Sequence, residues 1–246
     1  LWDITWSGPF TGREGKLSVN TTDIAYTFLG HETSDIYEFD RIPYFVLTSE
    51  VYAVRYANMM ARFAGVTPEA LLARWAQAPV AAAFFAESRK GEPYAKAFPE
   101  RDVAALSAYR TELAERVAGD GVLRVGKGWG SDKPRQDLPD WHLDKLAQLD
   151  GRTRILSAIE NVHQRLYISE KIFDAFAVGA IPVYWAGPKH RIADLVPAES
   201  MLNCQGLDPQ AAAARIAGFA PDADFAATWL KTCARLADLF GNGHAI

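Results

Sequence analysis

A group of polar and charged side chains lies between two apolar runs of the chain. Its members are Glu160, Asn161, Tyr167, Ser169, Glu170 and Lys171. A lysine beside a helix N-terminus suits a phosphate group, because the ammonium and the backbone N–H groups both favour negative charge. A carboxylate suits sugar hydroxyls, which can donate hydrogen bonds to it. The segment therefore offers groups for a phosphate and for a sugar.

The surrounding residues predict one βαβ unit that would position these side chains. Arg154–Ile159 form an apolar run typical of a strand, and Ile181–Trp185 form a second. From Ser169, a candidate N-cap, apolar residues recur at helical spacing as far as Gly179, where a helix would stop. Open parallel sheets bind ligands beyond the carboxyl ends of their strands, so the loop after the first strand lies where a ligand would bind.

The same segment carries a family resemblance. It contains the motif E-N-(x5)-Y-I-S-E-K-I-x-D-A-(x3)-G-A-I-P-V-Y-W-x-G-P over Glu160–Pro188. This motif resembles the donor-binding signature of the alpha-1,3-fucosyltransferases of glycosyltransferase family 10. The resemblance implies a hexosyltransferase of the α/β, GT-B-like class, with two Rossmann-like halves. It also implies GDP-fucose as donor substrate, a glycan acceptor and no required cofactor or metal.

The resemblance assigns roles to the polar residues of the motif. Lys171 is expected to contact donor phosphate, and Glu170 to hold hydroxyls of the fucose or the ribose. Asn161 and Tyr167 are expected to line the nucleotide pocket, and Ser169 counts among the donor-binding residues. Two interpretations of Glu160 stay open, as a donor-site residue or as a structural carboxylate that accepts hydrogen bonds from loop amides. The single histidines His163 and His190 are expected to be solvated or hydrogen-bonded, and Trp185 to belong to the core.

The implied reaction is one displacement with inversion, in which a carboxylate takes the proton of the acceptor hydroxyl. In the resembled family this base is a glutamate in a loop of the N-terminal half. Glu14 is the only carboxylate in the Gly-rich stretch Ser7–Gly15 and is therefore the candidate base. Asp3 and Asp23 are weaker candidates. An exposed loop charge without catalytic function is the alternative interpretation of Glu14.

Basic residues near other predicted strand ends are further candidates for donor binding. Arg89 follows the strand predicted at Pro79–Ala86, and Lys127 lies in Gly126-Lys127-Gly128, similar to the family pattern V-x-x-x-G-K-G. A helix is predicted over Asp102–Val117 with Asp102 as N-cap. The family arginine expected near its start is replaced by Leu106, and Arg101 or Arg110 could substitute for it. Solvated surface charge is the alternative interpretation of Arg89 and of Arg110.

The pattern of elements predicts two parts. Residues 1–78 would form an N-terminal acceptor-side part, and residues 79–246 a complete Rossmann-like domain that binds the GDP-sugar. Seventy-eight residues are few for a whole Rossmann-like half, so the acceptor part is expected to be reduced or to lack its beginning. The chain starts at Leu1, not Met, which also fits a fragment.

Composition excludes several functional classes. The chain has 246 residues, of which 49% are hydrophobic and 23% charged, as in ordinary globular proteins. A net charge of −4 argues against nucleic-acid binding. Two cysteines, Cys204 and Cys233, lack metal-ligand spacing and are expected to be buried reduced thiols. With no transmembrane run or signal-peptide pattern, the expected location is the cytoplasm, with peripheral association at a membrane as the alternative.

Two other functions stay open from the sequence. One is a transferase of the same fold that uses another nucleotide sugar. The other is a non-catalytic relative that binds a nucleotide or a glycan without turnover. The acceptor, the linkage and the oligomeric state are not predicted by the sequence.

Overall fold

The computed structural model describes residues 14–27, 50–130 and 137–242. The candidate base Asp3 and most of the stretch Ser7–Gly15 lie outside these residues. The strands of the described part are β1 (Glu14–Val19), β2 (Thr22–Thr27), β3 (Val80–Phe85), β4 (Ala97–Phe98), β5 (Val103–Ala105), β6 (Val122–Val125), β7 (Thr153–Ser157), β8 (Val162–His163), β9 (Ile181–Tyr184) and β10 (Leu202–Asn203). Its helices are α1 (Glu50–Ala61), α2 (Pro68–Gln77), α3 (Ser107–Arg116), α4 (Trp141–Leu149), α5 (Glu170–Ala177), α6 (Ile192–Leu195), α7 (Pro209–Ala217) and α8 (Ala223–Gly241).

A five-stranded parallel sheet forms the centre of the molecule. Its strand order is β10-β9-β7-β3-β6, and every neighbouring pair is parallel. β1 and β2 form a separate antiparallel hairpin, and β4, β5 and β8 form a small antiparallel sheet. Parallel strands joined through helices give a Rossmann-like arrangement, so the predicted α/β class is confirmed.

The predicted βαβ unit is present as β7, α5 and β9. Helix α5 buries Ile172, Phe173 and Phe176 against the sheet, each at 2% exposure or less. Burying an aliphatic or aromatic side chain of this size stabilises a fold by roughly 1.5–3 kcal/mol. The helix is followed by Gly179, whose φ of 78° favours glycine. Hydrophobic periodicity and this glycine therefore set the position of α5.

Helices α1 and α2 pack into the same core as the sheet. Both pack against α8, and α1 also contacts α5. Tyr56 and Met60 of α1, together with Leu71 and Trp75 of α2, belong to the main hydrophobic cluster. The Trp75 ring packs edge-on against Trp229 of α8, with 5.7 Å between centroids. The boundary between residues 78 and 79 stays a prediction, and helices on its two sides share one core.

The predicted helix start at Asp102 is wrong. Pro99–Arg101 form a 3₁₀ turn, and Asp102 follows it with a left-handed φ of 53°. Strand β5 comes next, and α3 begins only at Ser107. The run after Asp102 suits a helix locally, but Ala104 pairs with His163 in β8. The backbone N–H and C=O groups of this run therefore bond to a distant strand, although the local sequence pattern predicts that they bond within a helix.

Two further predictions concern buried thiols and membranes. Cys204 and Cys233 are buried free thiols, as predicted. Burial raises the pKa of the Cys204 thiol to about 11 and that of Cys233 to about 12.

In the part of the chain that the structure describes, no helix combines the length and the apolar character needed to cross a bilayer.

Candidate functional site

The topology of the sheet creates a crevice between β3 and β7. From β3 the chain passes through α3 to β6 on one side, whereas from β7 it passes through α5 to β9 on the other. Ligands of open α/β sheets bind at such a switch point, beyond the carboxyl ends of the strands. Arg89 follows β3 by a few residues, and Glu160 and Asn161 follow β7. The fold therefore places these predicted site residues at the edge of the sheet where a ligand is expected.

Glu160 is the centre of a hydrogen-bonded group at the start of α5. Its side chain is buried and accepts a 2.7 Å hydrogen bond from the backbone N–H of Ser169. The Ser169 hydroxyl lies 2.6 Å from Oε2 and 2.8 Å from Oε1 of the same carboxylate. Lys171 donates to Oε2 at 2.8 Å. Glu160 thus accepts from a loop amide, as its structural interpretation predicts, and also fixes the lysine of the motif. We call Glu160, Ser169, Glu170 and Lys171 the loop–helix cluster.

Ser169 occupies the N-cap position of α5, but its hydroxyl does not cap the helix. Its backbone is extended, as an N-cap requires, and its side chain accepts no bond from the first turn. The hydroxyl is bound to Glu160 instead, and it accepts a 2.7 Å hydrogen bond from Lys171. The predicted N-cap position of Ser169 is confirmed. The N-cap side chain therefore leaves the first-turn N–H groups of α5 without the hydrogen bond that a capping serine usually accepts.

Glu170 and Lys171 form a charged pair beside this turn. Their Oε1 and Nζ atoms lie 3.5 Å apart, and both residues are largely buried. Burial alone would raise the pKa of Glu170, but Lys171, Lys145 and a backbone hydrogen bond together outweigh that effect and hold the pKa below its usual range. Burial would lower the pKa of Lys171, but Glu160 and Glu170 raise it. Both groups are therefore charged at neutral pH.

The second carboxylate oxygen of Glu170 is the least satisfied atom of the loop–helix cluster. Glu170 is 7% exposed, and its Oε2 has no hydrogen-bond partner among the described residues. A buried carboxylate oxygen without a donor is costly, and ordered water or a ligand usually satisfies such a group. The hydroxyl groups of a sugar are suitable donors. This oxygen is therefore a candidate ligand contact.

Arg110 adds a second cation to the site. It is buried in the first turns of α3, and its Nη1 donates to the Ile159 carbonyl at 3.0 Å and to Oδ1 of Asn161 at 2.8 Å. Its charge reaches Lys171, where it opposes part of the rise in pKa that Glu160 and Glu170 cause. Arg101, the other candidate substitute for the family arginine, is exposed outside α3. The sequence offered both arginines equally, because the helix start was predicted five residues too early.

The remaining predicted donor residues lie on neighbouring segments. Tyr167 is buried, and its carbonyl accepts from Nε2 of His190 at 3.1 Å. Arg89 forms an ion pair with Glu87 at 3.0 Å and lies over the Tyr94 ring. The exposed Lys127 accepts from the Ser88 backbone N–H through its own carbonyl, which joins the ends of β3 and β6. The loop–helix cluster with Asn161 is thus brought together directly, and Arg89 and Lys127 flank the same sheet edge.

Glu14 lies on the β1–β2 hairpin. It is the first residue of β1 and is exposed. Glu14 and Gly15 are predicted as part of a loop, and the structure places both in β1 instead. Asp23, the weaker candidate, lies on β2 and accepts a 2.6 Å hydrogen bond from the Ser18 hydroxyl.

His163 and His190 are buried and hydrogen-bonded, which is one of the two roles expected for them. Their rings stack with 5.3 Å between centroids. The Ile192 N–H donates to Nδ1 of His190, so the ring proton is on Nε2 and donates to Tyr167. His163 contacts Asp102 through Nε2 at 3.2 Å. Within the described ranges, no three His, Cys, Asp or Glu side chains group as ligands of a metal ion.

A buried network below the site was not predicted from the sequence. It consists of Arg55, Tyr56, His142, Lys145 and Asp174, and we call it the Asp174 network. Asp174 accepts from Tyr56, His142 and Lys145, each at 2.7 Å. Burial would raise its pKa, but Lys145 and His142 outweigh that effect and lower it. In the sequence, the one sign of this network is Asp174, an aspartate on a helix face that otherwise carries apolar residues.

The comparison with known families agrees with this geometry. Residues 127–226 match the model of the glycosyltransferase family 10 (fucosyltransferase) C-terminal domain. The chain carries a glycosyltransferase family 10 domain. It is an enzyme of the fucosyltransferase type, and the parallel sheet is that of a GT-B fold. The family 10 match includes the loop–helix cluster, β7, β9 and β10, and it implies a nucleotide-sugar donor and a glycan acceptor. No curated protein matches the chain.

Proposed function

We propose that this enzyme transfers fucose from GDP-fucose to a hydroxyl of a glycan, with inversion at the anomeric carbon and formation of an α1,3 linkage. The observation that carries the proposal is the buried, unpartnered Oε2 of Glu170 beside the charged Lys171. One group suits a sugar hydroxyl and the other a phosphate. They adjoin each other at the switch point of the sheet, as a nucleotide sugar requires.

The donor phosphates are proposed to bind at the first turn of α5 and Lys171. The uncapped N–H groups of that turn favour an anion, and the lysine is held in place by Glu160. Arg110 supplies a further positive charge from α3. These groups would stabilise the negative charge that grows on GDP as the bond to the sugar breaks. Asn161, positioned by Arg110, and Tyr167 would border the nucleotide.

The chemical step is proposed as a single displacement. The oxygen of the acceptor hydroxyl attacks the anomeric carbon of fucose, and the bond from that carbon to the β-phosphate oxygen breaks. The hydroxyl proton passes to the carboxylate of Glu14, and GDP leaves with the bonding electron pair. Attack from the face opposite the leaving group inverts the configuration.

Donor binding is tested by isothermal titration of GDP and GDP-fucose into the wild-type chain and Lys171→Ala. Loss of a charge-assisted contact to phosphate should weaken binding roughly ten- to hundredfold. Lys231→Ala is the matched control, because Lys231 is an exposed lysine of α8. Unchanged affinity in Lys171→Ala would contradict the assigned phosphate site, and no binding by the wild-type chain would contradict the donor.

Turnover tests the reaction and the base. Glu14→Gln should bind GDP-fucose as the wild type does and lose transfer by roughly a hundredfold or more, since general-base catalysis contributes about 10²–10⁴. Nuclear magnetic resonance of the product reports the anomeric configuration and the linkage. Full activity of Glu14→Gln would move the base to another residue. Retained configuration would contradict the displacement.

Two other functions are separated by the same assays. Transfer from another GDP- or UDP-sugar, with none from GDP-fucose, would favour a same-fold transferase with a different donor. Donor binding without hydrolysis or transfer across a panel of glycans would favour a binding protein. The proposal also includes a cytoplasmic location, free or at a membrane surface, and fractionation of cells that express the tagged chain tests it.

A further inference from the structure

Lys145 and Asp174 form a buried ion pair that the proposed reaction does not use. Lys145 lies on α4 and Asp174 on α5, with 2.7 Å between Nζ and Oδ2. The aspartate side chain is fully buried, and that of the lysine is 8% exposed. A buried pair of this kind is weak evidence for a purely stabilising role, because desolvating both charges offsets their attraction. Its position relative to the site is more informative.

The other oxygen of Asp174 is also fully engaged. Its Oδ1 accepts from the Tyr56 hydroxyl and from Nε2 of His142, each at 2.7 Å. Arg55 lies 2.9 Å from Nδ1 of His142 and can only donate, so the ring proton must be on Nε2. Asp174 is therefore held as a carboxylate with a fixed orientation by three donors from two helices.

Glu170 lies one helical turn before Asp174 on α5. Residues four apart on a helix share a face, with about 5–6 Å between their Cβ atoms. Lys145 acts on both carboxylates, since its charge helps to lower the pKa of Glu170 as well as that of Asp174. Yet only Asp174 is bonded to the ammonium, and Oε2 of Glu170 has no partner among the described residues. The flexible lysine thus has two carboxylates in its neighbourhood and binds one.

We infer that Asp174 is a positioning residue that retains Lys145 and so keeps Oε2 of Glu170 available for a hydroxyl of the sugar nucleotide. This inference rests on the proposed function of Glu170. Without the Asp174 carboxylate, the buried ammonium of Lys145 lacks a counterion and turns to Glu170. The new ion pair occupies the oxygen that the donor needs, so the donor must break it in order to bind.

The inference is tested by titration of GDP-fucose into Asp174→Asn and into the double variant Asp174→Asn/Lys145→Met. The single variant should lose about tenfold or more in affinity, the effect of one charge-assisted hydrogen bond. The double variant should return to within about threefold of the wild type, because the ammonium that blocks Glu170 is gone. Asp238→Asn, at an exposed position of α8, is the matched control and should bind normally.

A double-mutant cycle with Glu170→Gln gives an independent readout. Adding Asp174→Asn to Glu170→Gln should cause no further loss, since the neutral amide no longer attracts Lys145. A merely structural aspartate would lower affinity equally in both backgrounds, and Lys145→Met would not rescue it.

Each possible result either supports or overturns the inference about Asp174. Normal affinity of folded Asp174→Asn, or equal losses in the single and double variants, overturns the inference. If Asp174→Asn does not fold, the double variant alone is measured, and weak binding by it, when folded, overturns the inference whereas normal binding supports it. Absence of GDP-fucose binding by the wild-type chain overturns the proposed function and the inference together. Wild-type binding with an insensitive Asp174→Asn overturns the inference alone.

Discussion

The ammonium nitrogen of Lys171 lies 2.8 Å from Oε2 of Glu160, a buried carboxylate eleven residues earlier in the chain. Ser169 holds that carboxylate through both its amide and its hydroxyl. The lysine proposed to contact phosphate is therefore oriented before any ligand arrives, which lowers the entropic cost of binding.

Glu160→Gln should weaken both the fold and the donor site. The amide leaves Lys171 without its closest counterion, and an NH₂ group at the Oε2 position cannot accept from the lysine. Breaking a largely buried ion pair costs about 3–5 kcal/mol, and we expect about 1–3 kcal/mol because the lysine retains some solvent access. Urea unfolding measures the loss. Glu199→Gln, at an exposed glutamate, is the control and should be neutral within about 0.5 kcal/mol. Equal stability of the two variants would contradict the anchoring role.

Arg110→Ala should weaken GDP binding more than tenfold, since the lost guanidinium supplies positive charge and orients Asn161. Arg116→Ala is a matched control on the same helix, because Arg116 is exposed and paired with Glu112. Titration of GDP into both folded variants gives the comparison. Equal affinities would remove Arg110 from the phosphate site.

His190 should make the fold sensitive to acid between about pH 6.5 and 4. Burial and the neighbouring His163 lower its pKa to about 4, whereas in the unfolded chain it titrates near its ordinary 6.5. The folded state therefore favours the neutral form of His190. The contribution of this preference to the free energy of unfolding is fully present above pH 6.5. Below that value the unfolded chain binds a proton first, so stability falls by about 1.4 kcal/mol per pH unit until about pH 4.

Urea unfolding of the wild type and of His190→Gln from pH 7.5 to 4.5 tests this sensitivity. The stability of the wild type should fall more steeply than that of the variant. The side chains that face the His190 ring or lie near it are His163, Asp102 and Tyr184. They are present in both proteins, so the difference between the two stability curves reports mainly His190. Parallel stability curves would contradict the assigned pKa.

Gly179→Ala should destabilise the chain more than Gly65→Ala. Both glycines have a left-handed φ, 78° and 76°, so each substitution costs about 1–2 kcal/mol of backbone strain. A Cβ at Gly179 would also lie 2.6 Å from Cζ of Phe63, whereas nothing lies within 4 Å at Gly65. Thermal unfolding should separate the two variants. Phe63→Leu should recover part of the loss in Gly179→Ala, and equal melting temperatures of the two alanine variants would contradict the contact.

The βαβ unit could be predicted because its signals are local. Apolar runs of strand length bracket a helical period, and Gly179 ends the helix for a steric reason that the residue type alone indicates. The polar residues of the motif followed from the same order of elements. Spacing could thus place Glu170 and Lys171 at a helix start beyond a strand.

The Asp102 helix start and the Asp174 network could not be predicted, because both depend on distant partners. Asp102 has the residue type of an N-cap, yet pairing between β5 and β8 replaces the first helical turn. Tyr56 and Asp174 are 118 residues apart in sequence, and neither residue type indicates the other. Local propensity does not specify which two strands pair. It also does not specify which buried hydroxyl donates to which carboxylate.

The hydrogen bond from Tyr56 to Asp174 also limits how such enzymes can be recombined. Helix α1 precedes the first strand of the central sheet, yet its tyrosine reaches the aspartate below the donor site. A chimaera that exchanges everything before residue 79 with a relative keeps this contact only if the relative supplies a tyrosine at the same place. A crossover placed before Glu50 preserves the contact. The exchangeable unit for enzyme engineering therefore begins at α1, about thirty residues upstream of the sheet.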